Sequence, residues 1–333
     1  MMRCSILWIL LLFCVLPIAN AQDPHFTQYT MAPFTVNPAY TGVFDGNARV
    51  MSVYRQQWAN LIDPFTTASV AGDVKLGYYD PAGGQHPFNV GFQAITDRSM
   101  GGALKNSYGG ITTAYHVPLD VEENNYSVGI GLSLNYANRR IDYSEISFDQ
   151  QFTSGGFVLA LPNGETALQT MKPFLSVGAG ILFRSQDRLS GTYLDVGFSG
   201  YHFNKPLQTF MNDSTQFLPV RWSGQLSFQK YLSDVSYLQL QGLYHNQASV
   251  DYLLAGVSFA RLFGSENKNL IGAGCWYRTG ESFAPHVFVE YAGLRVGVSY
   301  DLLYNALKSN RTPTQTVEFS LQWRFGNILA QDY

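Results

Sequence analysis

The sequence predicts an all-β protein, a transmembrane antiparallel β-barrel of about 14 strands that follows a short extended N-terminal periplasmic segment. Three observations support this prediction. Apolar residues alternate with polar residues over most of the chain, charged residues make up only 14% of it, and aromatic residues reach 15%. Soluble domains average about 25% charged residues, whereas the outer wall of a membrane barrel faces lipid and needs few of them.

The first residues have the features of a secretory signal peptide. An apolar run extends from Ile6 to Leu16, and Ala19-Asn20-Ala21 follows as a cleavage site with small outer residues. No later apolar run approaches the roughly 18 residues that a transmembrane helix needs. We therefore divide the chain into a signal peptide over 1–21, an extended segment over 22–46 and an outer-membrane barrel over 47–333.

The period of two is clearest in the last segment of the chain. There the apolar residues Val317, Phe319, Leu321, Trp323 and Phe325 alternate with the polar residues Glu318, Ser320, Gln322 and Arg324. Successive side chains of a strand point to opposite faces, so one face of this strand suits lipid and the other suits water.

Segments of this kind recur about 14 times, each about 10 residues long, a length that spans a bilayer when the strand is tilted. The predicted strands are 47–58, 65–76, 88–97, 105–118, 124–138, 172–184, 191–203, 217–231, 235–246, 249–263, 268–278, 283–292, 294–302 and 314–326. The segment 235–246 alternates poorly and is the weakest of them.

The loops give an independent indication of the topology. The long predicted connections 139–171, 204–216 and 303–313 all follow odd-numbered strands, and most connections after even-numbered strands are short. The exception is 77–87, which follows the second strand and is as long as 303–313. Because bacterial barrels have short periplasmic turns and longer external loops, odd-numbered strands should end outside the cell. A soluble β-sandwich or propeller would also alternate, but it would need more surface charge and would not sort its loops in this way.

Nothing in the sequence indicates catalysis. The six histidines stand at no metal-ligand spacing, and neither H-E-x-x-H nor G-x-S-x-G occurs. A barrel hydrolase would need a pair such as Asp195 with His202 or Ser282 with His286, and no spacing brings these together. We predict no catalytic residue, no metal site and no cofactor. The net charge of −3 argues against a nucleic-acid partner.

Several glycines alternate with apolar residues and should therefore face the lumen. They are Gly129 and Gly131, Gly178 and Gly180, and Gly272 and Gly274. Glycine at these positions either leaves room for a channel or an inserted segment, or serves local strand bending or the close packing of a plug. Cys275, which remains when the signal peptide is removed, should face lipid or a partner barrel.

The longest external loop, 139–171, carries apolar residues that are candidates for contact with a partner. They are Phe148, Phe152, Phe157 and Leu159. These side chains either hold a secreted protein at the cell surface or fold the loop back into the lumen.

The start of the mature chain, QDPHFTQYTMAPFTVNPAYTG, resembles the opening of the PorP/SprF family of type IX secretion system membrane proteins. The matching residues are Asp23-Pro24, Phe26, Gln28-Tyr29, Asn37-Pro38-Ala39-Tyr40 and Gly42. The segments Tyr54–Trp58, Pro64-Phe65, Ser299–Asp301 and Glu318–Gly326 resemble the family as well, so the likeness covers essentially the whole mature chain.

The resemblance implies a non-enzymatic outer-membrane component of the type IX secretion system of Bacteroidota, which supports export or surface attachment of cargo such as large adhesins. In some species such cargo serves gliding motility. The implied partners are other type IX components, the C-terminal domains of cargo proteins and outer-membrane lipid. The opening motif is a candidate partner-binding or plug segment, with Asp23, Pro24, Gln28, Tyr29, Asn37, Pro38 and Tyr40 as its residues. The alternative function is a diffusion porin or small-solute channel.

Overall fold

The computed structural model describes residues 23–60, 63–76, 88–120, 125–143, 146–158, 160–162, 164, 171–187, 189–209, 213–264, 269–303 and 315–326. They form a closed barrel of 14 antiparallel strands, which confirms the predicted fold and strand count. Labelled β1 to β14 in chain order, the strands are Ala48–Gln57, Phe65–Leu76, Phe88–Ser99, Leu104–Pro118, Tyr126–Ile141, Phe174–Asp187, Thr192–Tyr201, Arg221–Ser233, Ser236–Gln247, Val250–Phe263, Asn269–Arg278, Ser282–Tyr291, Leu294–Leu303 and Thr316–Phe325.

Each strand pairs with its neighbours in the sequence, and the barrel closes where β1 pairs with β14. In this seam Ala48 lies opposite Phe325 and Gln56 lies opposite Val317. Closure leaves no strand edge unpaired, which a β-structure in lipid requires because the bilayer core offers no hydrogen-bonding partner.

The wall has an apolar outer face and a polar inner face. In β5 the side chains of Tyr126, Ile130, Leu132, Leu134 and Tyr136 are exposed on the outside, whereas those of Ser127, Ser133 and Asn135 are buried inside. The predicted alternation is therefore confirmed, with polar residues inside and apolar residues outside. Cys275 is half-buried and shares the outward positions of Ile271 and Tyr277 in β11.

The two ends of the barrel differ in their connections. The end of β5, β7 and β13 carries the long connections 142–173, 202–220 and 304–315, and we name it the external end. At the opposite, inner end, where β1 begins, β12 and β13 join through Ala292 and Gly293. Both have positive φ, +51° and +81°, as the tightest hairpin turns require. Among the described residues, no helix is long and apolar enough to cross a membrane.

The residues that precede β1 lie within the barrel. The sequence predicts an extended periplasmic segment here, whereas the structure shows three short 3-10 helices in the lumen, Tyr29–Met31, Pro33–Thr35 and Pro38–Tyr40. Proline begins two of these turns, where its restricted φ suits a helix start and its missing N–H is not needed. The Asn37 side chain accepts a hydrogen bond from Ala39 N at 2.8 Å and so caps the third turn.

The hydrophobic core lies between this segment and the wall. One cluster joins buried Tyr29 and Val36 to Leu243, Leu254, Trp276 and Ala284 of the wall. A second joins Phe26, Met31 and Ala32 to Val53, and a third joins Phe34 to Met51 and Ala71. In each of these clusters, residues of the wall pack against residues of the N-terminal segment, so the lumen is packed there.

Candidate functional site

The opening motif lies inside the barrel from one end to the other. We name residues 23–45 the lumen segment. Asp23 lies at the external end, where His202 Nε2 and Arg221 Nη1 each approach its Oδ2 at 2.8 Å. Burial raises the pKa of Asp23, but the favourable interactions with His202 and Arg221 outweigh it and hold that pKa well below its ordinary value. Pro24 beside it is half-buried.

The next anchor is a buried carboxylate of β14. The consecutive backbone N–H groups of Thr27 and Gln28 donate to the two oxygens of Glu318, at 2.9 and 2.6 Å. Glu318 is fully buried. The Gln28 side chain donates to Ser299 Oγ at 3.2 Å and accepts from Ser320 Oγ at 2.6 Å. The backbone and the side chain of Gln28 are thus both held by the wall.

Two arginines complete this anchor. Arg55 pairs with Glu318 at 3.2 Å and with Asp301 at 3.0 Å, and Arg278 pairs with Asp301 at 2.9 Å. Both guanidinium groups also donate to Thr27 Oγ1, at 2.8 and 2.5 Å. Arg278 also pairs with the partly exposed Glu281 at 3.0 Å. We name the four buried residues Arg55, Arg278, Asp301 and Glu318 the charge cluster.

Sequence reasoning did not assign a role to the charge cluster. Arg55, Asp301 and Glu318 fall in segments that resemble the family, but the resemblance supplies no function for them. The signal that would have drawn attention to them is a charged residue at an inward position of a strand that otherwise carries small polar residues there. Such charges need partners, because an unpaired buried charge is costly.

Tyr29 lies in the middle of the lumen. Its ring meets Trp276 edge-on at 5.7 Å between centroids, and its hydroxyl donates to Gly242 O at 3.3 Å. Burial, followed by nearby Tyr193 and Asp195, raises the pKa of Tyr29 far above its ordinary value, so the group stays a neutral donor.

Asn37 and Pro38 fit between glycines of the wall. The buried Asn37 amide donates to Ile181 O at 3.0 Å and to Gln225 Oε1 at 2.9 Å. A Cβ on Gly180 would lie 2.1 Å from Asn37 Oδ1, and a Cβ on Gly131 would lie 2.2 Å from Ala39 N. These two glycines admit the lumen segment. The other predicted lumen glycines meet wall residues instead, as Gly272 does with Phe288.

Near the inner end, the lumen segment contacts one more ion pair of the wall. Arg49 binds both oxygens of Asp73, at 2.9 and 2.8 Å, and Gly42 N donates to Asp73 Oδ2 at 2.8 Å. Gly42 has a φ of +83°, a conformation that glycine adopts readily. Tyr40 is half-buried and borders a cavity of about 150 Å³, which Arg184 and other polar residues also line.

The external loop contains a small hairpin in which Phe152–Thr153 pairs with Gly156–Phe157. Phe152 is 69% exposed and Phe157 is 40% exposed, with ring centroids 6.1 Å apart, so neither side chain folds into the lumen. Phe148 is half-buried against Tyr143. Leu159 lies outside the described residues. Val158 and Leu161, which sequence reasoning did not single out, are exposed in the same apolar run.

His202 is part of a serine–histidine–aspartate arrangement. Ser176 Oγ lies 2.7 Å from His202 Nδ1, and Asp23 lies on the other ring nitrogen. The sequence offers Asp195 with His202 only as a pair that a hydrolase would need, and the structure pairs Asp195 with Arg184 at 2.7 Å instead. Ser176 is 2% exposed, so a substrate has no access to its hydroxyl, and the arrangement anchors the lumen segment. Within the described part of the chain, no three His, Cys, Asp or Glu side chains gather as a metal site.

An apolar outer wall around a polar lumen that the chain's own N-terminal segment fills defines an integral outer-membrane β-barrel. The chain belongs to the PorP/SprF family, whose description is type IX secretion system membrane protein PorP/SprF and whose match spans residues 18–323. The resemblance found in the sequence is thereby confirmed. The protein is therefore an outer-membrane component of type IX secretion. This is not a known enzyme family, and the barrel fits a non-enzymatic role.

Several solved structures are similar to this chain at low identity. The Pseudomonas putida toluene transporter TodX is 7% identical, with 91% of this chain and 94% of that chain covered and a TM-score of 0.47. A Pseudomonas aeruginosa FadL homologue is 10% identical, with coverages of 87% and 93% and a TM-score of 0.46. The Acinetobacter baumannii outer membrane protein Omp33 is 10% identical, with coverages of 84% and 99% and a TM-score of 0.42. No curated protein matches the chain.

Proposed function

We propose that this protein supports the export or surface attachment of specific cargo proteins, such as large adhesins, by binding them non-covalently at the external face. The observation that carries the proposal is the lumen segment. It occupies the barrel from Asp23 at the external end to Gly42 near the inner end, with its middle residues buried. A protein whose lumen is filled acts on a polypeptide through its surface rather than as its conduit.

The external hairpin is the surface we propose for cargo. Phe152, Phe157, Val158 and Leu161 are all exposed, and large aromatic side chains commonly supply the central contacts of protein interfaces. The partner would be the C-terminal domain of a secreted protein, with other type IX components nearby. In a gliding species, the cargo would include the adhesins that motility needs.

For the opening motif we propose the plug role. Gln28, Tyr29, Asn37 and Pro38 are buried, and the side chains of the first three hydrogen-bond to the barrel wall, which leaves them no surface for a partner. A diffusion porin requires a continuous water-filled lumen, and the packing of these residues argues against one. In this proposal the signal peptide is removed near Ala21, and the mature chain comprises a lumen segment followed by a barrel.

The test is quantitative proteomics of culture medium, cell surface and periplasm in a strain that lacks the gene. Complementation would use the wild-type chain, the double variant Phe152→Asp with Phe157→Asp, and the control Leu189→Asp. Leu189 is 90% exposed on the inner-end turn between β6 and β7. We expect a few large proteins to leave the surface fraction in the deletion strain and in the double variant, and to return with the wild type and the control.

Two outcomes would count against this proposal. If all fractions stay unchanged in the deletion strain, the cargo function is wrong. If the double variant restores every protein, the function stands but the hairpin is not its binding surface. Conductance of the purified barrel in planar bilayers tests the plug separately, because a filled lumen should conduct far less than a porin of similar size.

A further inference from the structure

Three basic residues lie side by side on the outer face of the barrel. Arg98 of β3 is opposite Lys105 of β4, and Lys105 is opposite Arg140 of β5. Alternation puts them on the lipid-facing side, since Arg98 shares positions with exposed Phe92 and Arg140 with exposed Tyr136. We name Arg98, Lys105 and Arg140 the basic row.

The basic row stands just above the apolar band, at the external end. Below it comes a polar row of Thr96, Ser107 and Asn138, and below that lies Tyr136, which is four residues from Arg140. Four residues of a tilted strand rise roughly 10 Å. Because tyrosines mark the membrane–water boundary, the basic row lies at the depth of the lipid headgroups rather than in the hydrocarbon.

The basic row has no carboxylate partner within the described residues, unlike several inward-facing arginines. Arg49, Arg184 and Arg295 each pair with an acidic side chain within 2.9 Å. Asp97, beside Arg98, accepts hydrogen bonds from Thr67 and Asn106 instead. Asp142 lies two residues beyond Arg140, and the basic row with Asp142 included still has a net positive charge. Like charges directly opposite in a sheet repel, so an anion from outside the chain would stabilise the row.

We propose that the basic row binds the phosphate groups of an anionic lipid in the outer leaflet. Guanidinium groups form paired hydrogen bonds with phosphate, and the lysine between them adds a point charge. Neighbouring strands are about 4.8 Å apart, so the three cations span roughly 10 Å. That width suits a headgroup with more than one phosphate, or two adjacent lipids.

The test compares the affinity of the barrel for lipid vesicles of two compositions. Folded protein in detergent would be titrated with vesicles of phosphatidylcholine alone or with phosphatidylglycerol added. The variant replaces all three residues (Arg98→Gln, Lys105→Gln, Arg140→Gln), and the control replaces two exposed cations near the inner end, Lys230→Gln and Arg261→Gln. Heat-modifiable migration on gels would establish that each barrel is folded.

We expect the wild type to prefer the anionic vesicles and the triple variant to lose roughly 100-fold of that preference, from the usual contribution of each basic residue at a charged surface. The control removes one cation fewer and none from the basic row, so it should lose several-fold less. An unchanged preference in the triple variant would overturn the proposal, and an equal loss in both variants would also overturn it. Inorganic phosphate distinguishes the two sources of the anion. If phosphate alone stabilises the detergent-solubilised wild type against heat as much as the lipid does, the row binds free anions and is not a lipid site.

Discussion

The two faces of the barrel wall follow different rules. On the outer face of β5, Ile130, Leu132 and Leu134 need only be apolar, because lipid accepts any such side chain. On the inner face of the same strand, Gly131 admits the backbone of Ala39, and Asn135 accepts a hydrogen bond from Gln93 at 2.7 Å. The outer side chains of one strand therefore need only be apolar, whereas each inner side chain has to fit a particular neighbour.

The largest expected loss comes from the charge cluster on the inner face. Arg278→Met removes one of two buried cations and leaves Asp301 and Glu318 with Arg55 alone. Breaking a buried ion pair in this way costs about 3–5 kcal/mol. The free energy of unfolding in urea, measured in lipid vesicles, should fall by that amount. Arg278→Lys keeps the charge and should lose less; equal stability of Arg278→Met and wild type would refute the role of the cluster.

On the outer face, charge rather than shape should matter. Leu132→Arg places a cation near the middle of the apolar band and should cost about 2–4 kcal/mol. The same change at Asn138, on the same face of β5 but above the band, should cost about 0–1 kcal/mol. Urea titrations of both variants measure the difference. Equal losses would mean that the band does not end where the exposed apolar residues place it.

A third change tests the fit of the lumen segment. Gly131→Val puts a side chain into the space of Ala39, and overpacking of this kind costs about 1–3 kcal/mol. We expect partial release of the segment, seen as higher bilayer conductance and faster cleavage by added protease. Gly109→Val is the control, because a Cβ there meets nothing within 4 Å. A low conductance in both variants would show that the segment stays in place.

The smallest expected effect is a response to pH. Burial, followed by the charges of Arg278 and Arg55, lowers the pKa of His25 well below its ordinary value, so His25 is neutral in the lumen. Release lets it take up a proton below about pH 6.5, so retention should weaken by about 1 kcal/mol between pH 6.5 and 5.5. Asp23 opposes release until the pH falls below its unfolded pKa, far outside this range.

Bilayer conductance between pH 7.5 and 5.5 measures this response. His25→Phe keeps an aromatic ring against Tyr252, 4.4 Å away between centroids, and removes the titration. The conductance of the variant should depend less on pH in this range; His202 and His116, which contact Asp23 and Thr41 of the segment, are the groups that could retain a response. A response that persists in His25→Phe would assign it to another group.

The strands could be predicted from the sequence because successive residues face lipid and the lumen in turn, so apolar and polar residues alternate. Even 235–246, which alternates poorly, forms β9 at Ser236–Gln247, since neighbours on both sides complete its hydrogen bonds. The lumen contacts could not be predicted in the same way. Thr27 and Glu318 are far apart in the chain, and the sequence around each of them does not indicate which residue it contacts. His202 shows the same limit, because its aspartate comes from the N-terminal segment rather than from β7.

The anchor of the lumen segment spans the seam that closes the barrel. Thr27 receives hydrogen bonds from Arg55 of β1 and gives one to Glu318 of β14, and these two strands are the first and the last to be made. The N-terminal residues therefore cannot complete this anchor until the last strand is in place. During biogenesis, we expect the segment to act as a template that aligns the two terminal strands. Placement of the segment, the register of β1 against β14 and closure of the barrel would then occur together.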